Sequence, residues 1–211
     1  MNIDIPANIH QLLVVEITDA RQNHSMMFTY ERDDAHGSWK PVFDAIPVVL
    51  GRNGLGIGLG LSSRYYENNT LPKKVEGDGR SPAGLFKLSK IFGYASQSIN
   101  NKMPYIALHK DLHCIDDSDS KDYNKILPAS KAYKSFEIMR RQDTLYKWGI
   151  VVEHNSKALP QRGSCIFIHI ATKEKTPTAG CTAMSEKELV KIIKWLDKKK
   201  RPALLQYIKK Q

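Results

Sequence analysis

The chain has 211 residues, of which 41% are hydrophobic and 26% are charged, with a net charge of +10. This length allows one domain with a substantial core, and we expect a single domain over residues 1–211. The composition excludes a disordered chain, and no apolar run reaches the roughly 18 residues that a membrane-spanning helix needs. Positive charge favours an anionic partner, but basic residues are not interleaved with aromatic ones, so we predict no nucleic-acid binding.

The first part of the chain is predicted to be β-structure. Residues 12–17 form an apolar run, apolar residues alternate over positions 26–30, and a polar loop precedes residues 39–50. This pattern is typical of a hairpin or a meander. Pro41 and Pro47 are expected at a sheet edge or a bulge, because proline cannot donate a ladder hydrogen bond.

Glycine-rich segments and loops are predicted for the middle of the chain. Residues 51–60 contain neither a G-x-G-x-x-G pattern nor a Gly-Lys-Ser/Thr ending, so they are predicted to be turns and not a phosphate-binding loop. Residues 77–88 predict a tight turn that enters a short strand. Residues 89–134 look irregular, and long loops on a β-scaffold frequently carry a functional site.

Three strands and one helix are predicted for the last part of the chain. Residues 135–140, 149–154 and 165–171 are apolar and bounded by turn residues, as expected for strands. A helix is predicted to start at Ser185, because a glutamate three residues later completes a capping-box signal. Apolar residues at helical spacing continue to Leu196 and define its buried face.

Cys181 is the strongest candidate for a nucleophile. It follows a tight polar turn at residues 176–180 and precedes the helix start, a position where backbone N–H groups can stabilise an oxyanion. His169 lies in a predicted strand twelve residues earlier. A histidine in such a strand is usually a core residue, but a loop of this length can return the thiol to the imidazole, which would serve as its base.

The other cysteines and a second histidine have several interpretations. An odd number of cysteines leaves at least one thiol free. Cys165 is most simply a core residue, and a Cys114–Cys165 disulfide remains an alternative for an oxidising compartment. The surroundings of Cys114 lack the spacing of a zinc site, so no metal is predicted. His154 is a second candidate for the base.

Several segments resemble the L,D-transpeptidase catalytic domain, in which a histidine precedes a Ser/Thr-x-Gly-Cys element that carries the nucleophile. In this chain the element reads Pro-Thr-Ala-Gly-Cys-Thr-Ala-Met and follows His169. The matching segments lie in the order expected for the family, between about residues 48 and 196: residues 51–56, 77–86, 116–124, 163–169 and 177–184.

The resemblance implies a fold, a reaction and a location. The fold would be mostly β with flanking helices (α+β), a β-sandwich catalytic domain. The substrate would be a peptidoglycan stem peptide, with no cofactor and no metal. Cys181 would attack the carbonyl before a terminal D-alanine to form a thioester, and an amine of a neighbouring stem would then complete a 3→3 cross-link. The location would be the cell envelope, periplasmic or extracytoplasmic, although residues 1–6 lack the features of a signal peptide.

The resemblance also implies roles for residues around the nucleophile. Gly180 and Cys181 would supply the N–H groups of the oxyanion hole, and Thr178 with Ala179 would order the turn. Many family members carry arginine two residues after the cysteine, whereas this chain has Ala183. The candidate substrate contacts, which include two arginines that could replace the missing one, are Arg80, Asp78, Arg162, Tyr123 and Asn124.

Two alternatives to the transpeptidase remain open from the sequence. An L,D-carboxypeptidase would form the same acyl-enzyme and use water in place of the acceptor amine. A non-catalytic, basic module that binds the cell wall would keep the fold without the reaction. Retention of Cys181 and His169 favours an enzyme.

Overall fold

The computed structural model describes residues 5–61, 71–130 and 133–209. These residues are mostly β-structure, as the sequence predicts. The strands are, in chain order, β1 (Gln11–Ile17), β2 (His24–Glu31), β3 (Lys40–Pro41), β4 (Ile46–Val49), β5 (Leu55–Ile57), β6 (Ser81–Gly93), β7 (Tyr105–Ala107), β8 (Leu112–Cys114), β9 (Ile126–Pro128), β10 (Glu137–Ile138), β11 (Trp148–Val152), β12 (Phe167–Ile170), β13 (Thr182–Met184) and β14 (Ala203–Ile208). The helix α1 (Glu186–Trp195) and a 3₁₀ turn (Lys198–Lys200) lie between β13 and β14.

The large sheet closes on itself, which differs from the two-layer sandwich that the sequence analysis expected. Its strands follow the order β1-β14-β6-β11-β12-β13-β4-β2-β3, and β1 also pairs with β2. The apolar run of β1 explains its place in this closed sheet. Leu13 and Val15 face the main core, whereas Leu12 and Val14 face a second apolar cluster. A strand that is buried on both faces reads as a continuous apolar run.

The two prolines of the third predicted segment lie at open positions of the sheet. Pro41 belongs to β3, which is the last strand of the sheet path, so the predicted edge position is confirmed. Pro47 lies in β4 opposite Met26 of β2. Strand β13 pairs with β4 only at Val49, so the ladder toward β13 does not extend to Pro47.

Strand β6 is longer than the short strand that the sequence predicts. It runs over 13 residues and pairs with β14, β11, β5 and β7. The predicted irregular region, residues 89–134, therefore includes the end of β6 and the strands β7, β8 and β9. Pro82 and Gly84 are unfavourable in a strand when judged from the local sequence. Pairing with β5 and β14, which lie on either side, keeps this part of β6 in the sheet.

A small separate sheet lies beside the closed sheet. Its strands follow the order β10-β8-β9, and β10 has only two residues, fewer than the predicted strand at 135–140. A disulfide between Cys114 at the end of β8 and Cys165 before β12 links the two sheets. This link gives the small sheet a fixed position next to the strand that carries His169.

The predicted helix is confirmed, including its first residue. The Ser185 side chain accepts a hydrogen bond from the Glu188 N–H, and the apolar face reaches the main core through Leu189, Ile192 and Ile193. None of the helices in residues 5–61, 71–130 and 133–209 has the length and apolar character needed to span a membrane.

Candidate active site

Cys181 and His169 lie on neighbouring parallel segments of the sheet. Strand β12 carries His169, which is in register with Ala183 of β13. Cys181 directly precedes β13, and its sulfur accepts a hydrogen bond from the Phe167 N–H at 3.3 Å. The loop between the two strands therefore returns the thiol to the strand that carries the imidazole, as the sequence predicts.

Hydroxyl groups order the turn before Cys181. Thr178 Oγ1 donates to the Cys181 carbonyl at 2.6 Å and accepts from the Gly180 N–H at 3.1 Å. Ser81 Oγ donates to the same Cys181 carbonyl at 3.1 Å. A Cβ atom at Gly180 would lie 3.0 Å from the Arg80 carbonyl oxygen. The turn thus needs glycine at position 180 because two backbone segments approach each other closely there.

The two backbone N–H groups expected in the oxyanion hole differ in availability. The Gly180 N–H is engaged by Thr178 Oγ1. The Cys181 N–H has no hydrogen-bond acceptor in the described part of the chain. The Cys181 N–H is therefore the free donor next to the sulfur, and Gly180 contributes mainly by shaping the turn.

Cys181 and His169 line one cleft, whose volume is about 490 Å³. Both residues are nearly buried, with exposed fractions of 8% for Cys181 and 7% for His169. Among the residues that the structure describes, no three acidic, histidine or cysteine side chains are grouped as metal ligands. Besides Cys181 and His169, the polar or charged lining residues include Lys74, Glu76, Asp116, Glu137, Arg141, Tyr146, Ser164, Thr172, Thr176 and Thr178.

His169 has a defined tautomer. Its Nδ1–H donates to the Ile170 carbonyl oxygen at 2.8 Å, which leaves Nε2 as the hydrogen-bond acceptor. Burial lowers the pKa of His169 to about 4, against the opposing effect of that hydrogen bond. At neutral pH the imidazole is uncharged and can accept a proton.

The Cys181 thiol is protonated at neutral pH. Burial raises its pKa to about 12, and the charge of Glu137 adds to this effect, whereas the Phe167 N–H and the charge of Lys74 oppose it. The sulfur lies 3.6 Å from the Cys165 carbonyl oxygen, to which the thiol donates. Because neither partner is charged, the thiol proton must leave during the attack of the sulfur.

Glu137 and Tyr146 form a pair in the cleft wall that the sequence analysis missed. The Tyr146 hydroxyl donates to Glu137, and its ring meets the His169 ring edge-on with centroids 5.2 Å apart. Burial raises the pKa of Glu137, which favours its neutral form. Glu137 lies on the two-residue strand β10 of the small sheet, so no local pattern signals its place in the cleft wall.

The two arginines considered as substitutes for the missing family arginine lie outside the cleft. Arg80 donates to the carbonyl oxygens of Asn53 and Leu55, at 2.6 and 3.1 Å. Arg162 Nε donates to the Lys74 carbonyl oxygen at 3.3 Å. Both guanidinium groups therefore join backbone segments, and neither lines the cleft.

The three other predicted substrate contacts also stabilise the chain around the cleft instead of lining it. Asp78 accepts from the backbone N–H groups of its own turn. Tyr123 is buried and donates to Glu76. Asn124 accepts from the Cys165 N–H at 2.9 Å and donates to the His154 carbonyl oxygen. The segments that contain Asp78, Tyr123 and Asn124 therefore support the structure next to the cleft.

His154, the second candidate for the base, is a structural residue. Its Nδ1 accepts from the Leu59 N–H at 3.2 Å, and its Nε2–H donates to the Arg162 carbonyl oxygen at 2.9 Å. Burial lowers its pKa to about 4. Both ring nitrogens of His154 are engaged, and its ring lies outside the cleft. His169 is therefore the better candidate for the base.

The three cysteines have different states. Cys114 and Cys165 form the disulfide that the sequence left open, with Cα atoms 6.0 Å apart, and Cys181 is the free thiol. Cys165 also lines the cleft. The simple interpretation of Cys165 as an unpaired core residue was wrong, because sequence spacing does not define disulfide connectivity.

Comparison with known proteins agrees with this geometry. The model of the L,D-transpeptidase catalytic domain family (YkuD) matches residues 12–204. A search of curated proteins found no match. The family match covers nearly the whole chain, including His169 and Cys181, and ends at the start of β14. The chain belongs to the L,D-transpeptidase catalytic domain family.

Proposed function

We propose that this protein is a peptidoglycan L,D-transpeptidase in which Cys181 is the nucleophile and His169 is the base. The supporting observation is that both residues line one cleft, His169 from β12 and Cys181 from the turn directly before the parallel strand β13. The hydrogen bond from His169 Nδ1–H to the Ile170 carbonyl leaves Nε2 free to accept the thiol proton. This arrangement suits acyl transfer, in which a base deprotonates the nucleophile during the attack.

The acylation step follows from these positions. Cys181 Sγ attacks the carbonyl carbon between the L-centre of diaminopimelate and the terminal D-alanine, and the thiol proton moves to His169 Nε2. The oxyanion accepts a hydrogen bond from the Cys181 N–H. Collapse of the tetrahedral intermediate breaks the C–N bond, and His169 returns the proton to the departing amine of D-alanine. The product is a thioester on Cys181.

The second step completes the cycle. An amine of a neighbouring stem peptide attacks the thioester carbonyl and transfers a proton to His169, which protonates the sulfur as it leaves. The product is a 3→3 cross-link with an amide bond. If water attacks instead, the same site acts as an L,D-carboxypeptidase and releases a tripeptide stem.

The proposed location is the cell envelope, with the whole chain acting as one catalytic domain. The Cys114–Cys165 disulfide supports an oxidising compartment, because disulfides are rare where thiols are kept reduced. The net charge of +10 suits an anionic polymer such as peptidoglycan. Positive charge raises the local concentration of substrates that carry carboxylates.

The test uses a carbapenem, whose strained amide carbonyl acylates an activated cysteine. We expect the intact mass to increase by one drug equivalent, and peptide mapping to locate the adduct on Cys181. The Cys181→Ala variant, which changes one small side chain, should stay folded and unlabelled. Absence of labelling in the folded wild-type protein would contradict the proposal and favour a wall-binding module.

The reaction itself is tested with a disaccharide-tetrapeptide, whose products are identified by mass spectrometry. A cross-linked dimer with release of D-alanine indicates the transpeptidase. A tripeptide without a dimer indicates the carboxypeptidase. Cys181→Ala should give neither product.

A further inference from the structure

Lys74 is a buried cation in the wall of the cleft. Its side chain is only 4% exposed, yet it lies among the residues that line the cleft around Cys181. Lysine is almost never buried to this extent unless it is paired. Its place beside the nucleophile calls for a functional explanation, because buried ion pairs are weak contributors to stability.

Several contacts hold Lys74 in one position. Its N–H donates to the Ile57 carbonyl oxygen at 2.9 Å, and its own carbonyl accepts from Arg162 Nε. The side-chain stem passes so close to Gly163 that a Cβ atom there would lie 2.9 Å from Lys74 Cε. Lys74 Nζ donates to Asp78 Oδ1 at 2.8 Å. The ammonium group is therefore preorganised.

The ammonium group lies against the turn that carries the nucleophile. A Cβ atom at Gly180 would be 3.5 Å from Lys74 Nζ. An ammonium has three donors, and Asp78 takes one of them. The Asp78 carboxylate also accepts from the N–H groups of Val75 and Arg80, both at 2.9 Å. The negative charge of Asp78 is thus shared among several donors, and two N–H donors of Lys74 are not taken by Asp78.

A second cation, Arg141, lines the cleft in the part of the chain that the structure describes. The Arg141 guanidinium is engaged by Asp143 through Nε and Nη2. Ala183 stands at the position where many family members carry arginine. Carboxylates also line the cleft, at Glu76 and Asp116. An anionic ligand group is therefore favoured at Lys74 and disfavoured near these carboxylates.

We propose that Lys74 forms an anion subsite beside Cys181 that receives the terminal carboxylate of the peptide residue that leaves. This inference rests on the proposed function. In a stem peptide that ends in D-alanine, one nitrogen and one Cα atom separate the terminal carboxylate from the scissile carbonyl. A cation against the Gly180 turn is within that reach. The subsite makes the enzyme specific for peptides with a free C-terminus.

The first experiment compares two alkylating reagents on Cys181, anionic iodoacetate and neutral iodoacetamide. The ratio of the two rates reports the electrostatic potential at the sulfur. The thiolate fraction and the accessibility of the sulfur affect both rates equally and cancel in the ratio. Lys74→Met removes the charge and keeps the length of the side chain. We expect the iodoacetate/iodoacetamide ratio to fall by about fivefold or more, and to recover in Lys74→Arg. An unchanged ratio in Lys74→Met would overturn the proposal.

A variant of the partner residue gives an independent result if Lys74→Met does not fold. Asp78→Asn removes the negative charge and keeps one acceptor for Lys74. The ratio should then rise above that of the wild-type protein, and 1 M salt should reduce the difference. A ratio equal to that of the wild-type protein would overturn the proposal. Alkylation needs only a thiol, so this result does not depend on whether the chain is a transpeptidase.

The second experiment uses the substrate class directly. The wild-type protein should process a stem tetrapeptide with a free C-terminus at a higher kcat/KM than its C-terminal amide. In Lys74→Met the KM for the free acid should rise about tenfold or more, with little change for the amide. Equal losses for both peptides would assign Lys74 a merely structural role and overturn the subsite. Failure of carbapenem labelling would instead contradict the proposed function.

Discussion

The chemistry of the cleft depends on how two side chains are protonated before the reaction. Burial keeps the Cys181 thiol protonated and the His169 imidazole neutral, with pKa values of about 12 and 4. The resting pair is therefore uncharged and not a thiolate–imidazolium pair. A substrate carbonyl must be in place before proton transfer becomes favourable, which protects the thiol from general oxidation.

Replacing the base should reveal this dependence. In His169→Ala the thiol has no proton acceptor, so acylation by a carbapenem should slow by about 100-fold or more at pH 7. The pH profile of acylation should also shift upward, because only hydroxide can then generate the thiolate. The measurement is the labelling rate between pH 6 and 10 by intact mass. His109→Ala, at an exposed histidine, is the control; an unchanged profile in His169→Ala would assign the base elsewhere.

At the level of single residues, the sequence points to Cys181 and His169 as the proposed nucleophile and base, because both positions lie in short motifs. Thr178 does order the turn through its hydroxyl. Lys74, Glu137 and Tyr146 were missed because distant segments bring them to the cleft. Of these three residues, Lys74 is the one that the sequence could have indicated, because it lies four residues before Asp78. Asp78 belongs to the family-like segment 77–86.

Among the elements, helix α1 is held at both ends by side chains. Ser185 caps its first turn, and the buried Asn100 donates to the Leu196 carbonyl oxygen at 2.7 Å. Carbonyl groups at the end of a helix have no partner within the helix. The loop that carries Asn100 therefore determines where the helix ends.

Removing the two caps should have unequal effects. Ser185→Ala should lower the free energy of unfolding by about 1 kcal/mol. Asn100→Ala should cost about 2–3 kcal/mol, because it leaves buried carbonyl groups unsatisfied. Urea denaturation followed by tryptophan fluorescence measures both. Equal losses would mean that water replaces the Asn100 side chain, contrary to its burial.

The disulfide connects the small sheet to the cleft. Cys114 and Cys165 are separated by 51 residues, so their cross-link restricts a long loop of the unfolded chain. Loss of the disulfide in the Cys114→Ala/Cys165→Ala double variant should lower the free energy of unfolding by about 4 kcal/mol. Carbapenem labelling of Cys181 should also slow, because Cys165 lines the cleft. A reducing agent should destabilise the wild-type protein and leave the double variant unchanged.

The elements differ in how well their sequence predicts them. Strand β1 and helix α1 carry clear periodic or apolar patterns with end signals, and both form as expected. The length of β6 and the existence of β14 depend on pairing partners distant in the chain. The closure of the sheet depends on the β1–β2 and β1–β14 pairings together, which no local window contains.

For the molecule as a whole, two buried neutral histidines make stability depend on pH. His154 and His169 have pKa values of about 4 in the folded protein, whereas histidine in an unfolded chain titrates near 6.5. Between these values the unfolded chain binds more protons than the folded one. The free energy of unfolding should therefore fall as the pH drops from about 6.5 to 4, by up to about 3 kcal/mol for each histidine.

Guanidinium denaturation at pH 7, 6 and 5 measures this effect. The raised pKa of Glu137 acts in the opposite direction, since it lets the folded protein bind a proton. His154→Gln removes one titrating group outside the cleft, so the loss of stability between pH 7 and 5 should be smaller in this variant. An equal loss would indicate that other groups dominate.

The position of β14 has a consequence for the time at which the protein can fold. Strand β14 lies between β1 and β6 and joins them into one sheet. Until residues 203–208 have left the ribosome, β1 and β6 each expose an unpaired edge, and the pairing that covers them spans nearly the whole chain. Such long-range closure is slow and comes late. A chain delayed in this way stays unfolded long enough to be threaded through a translocation pore, which suits the location proposed above, the cell envelope.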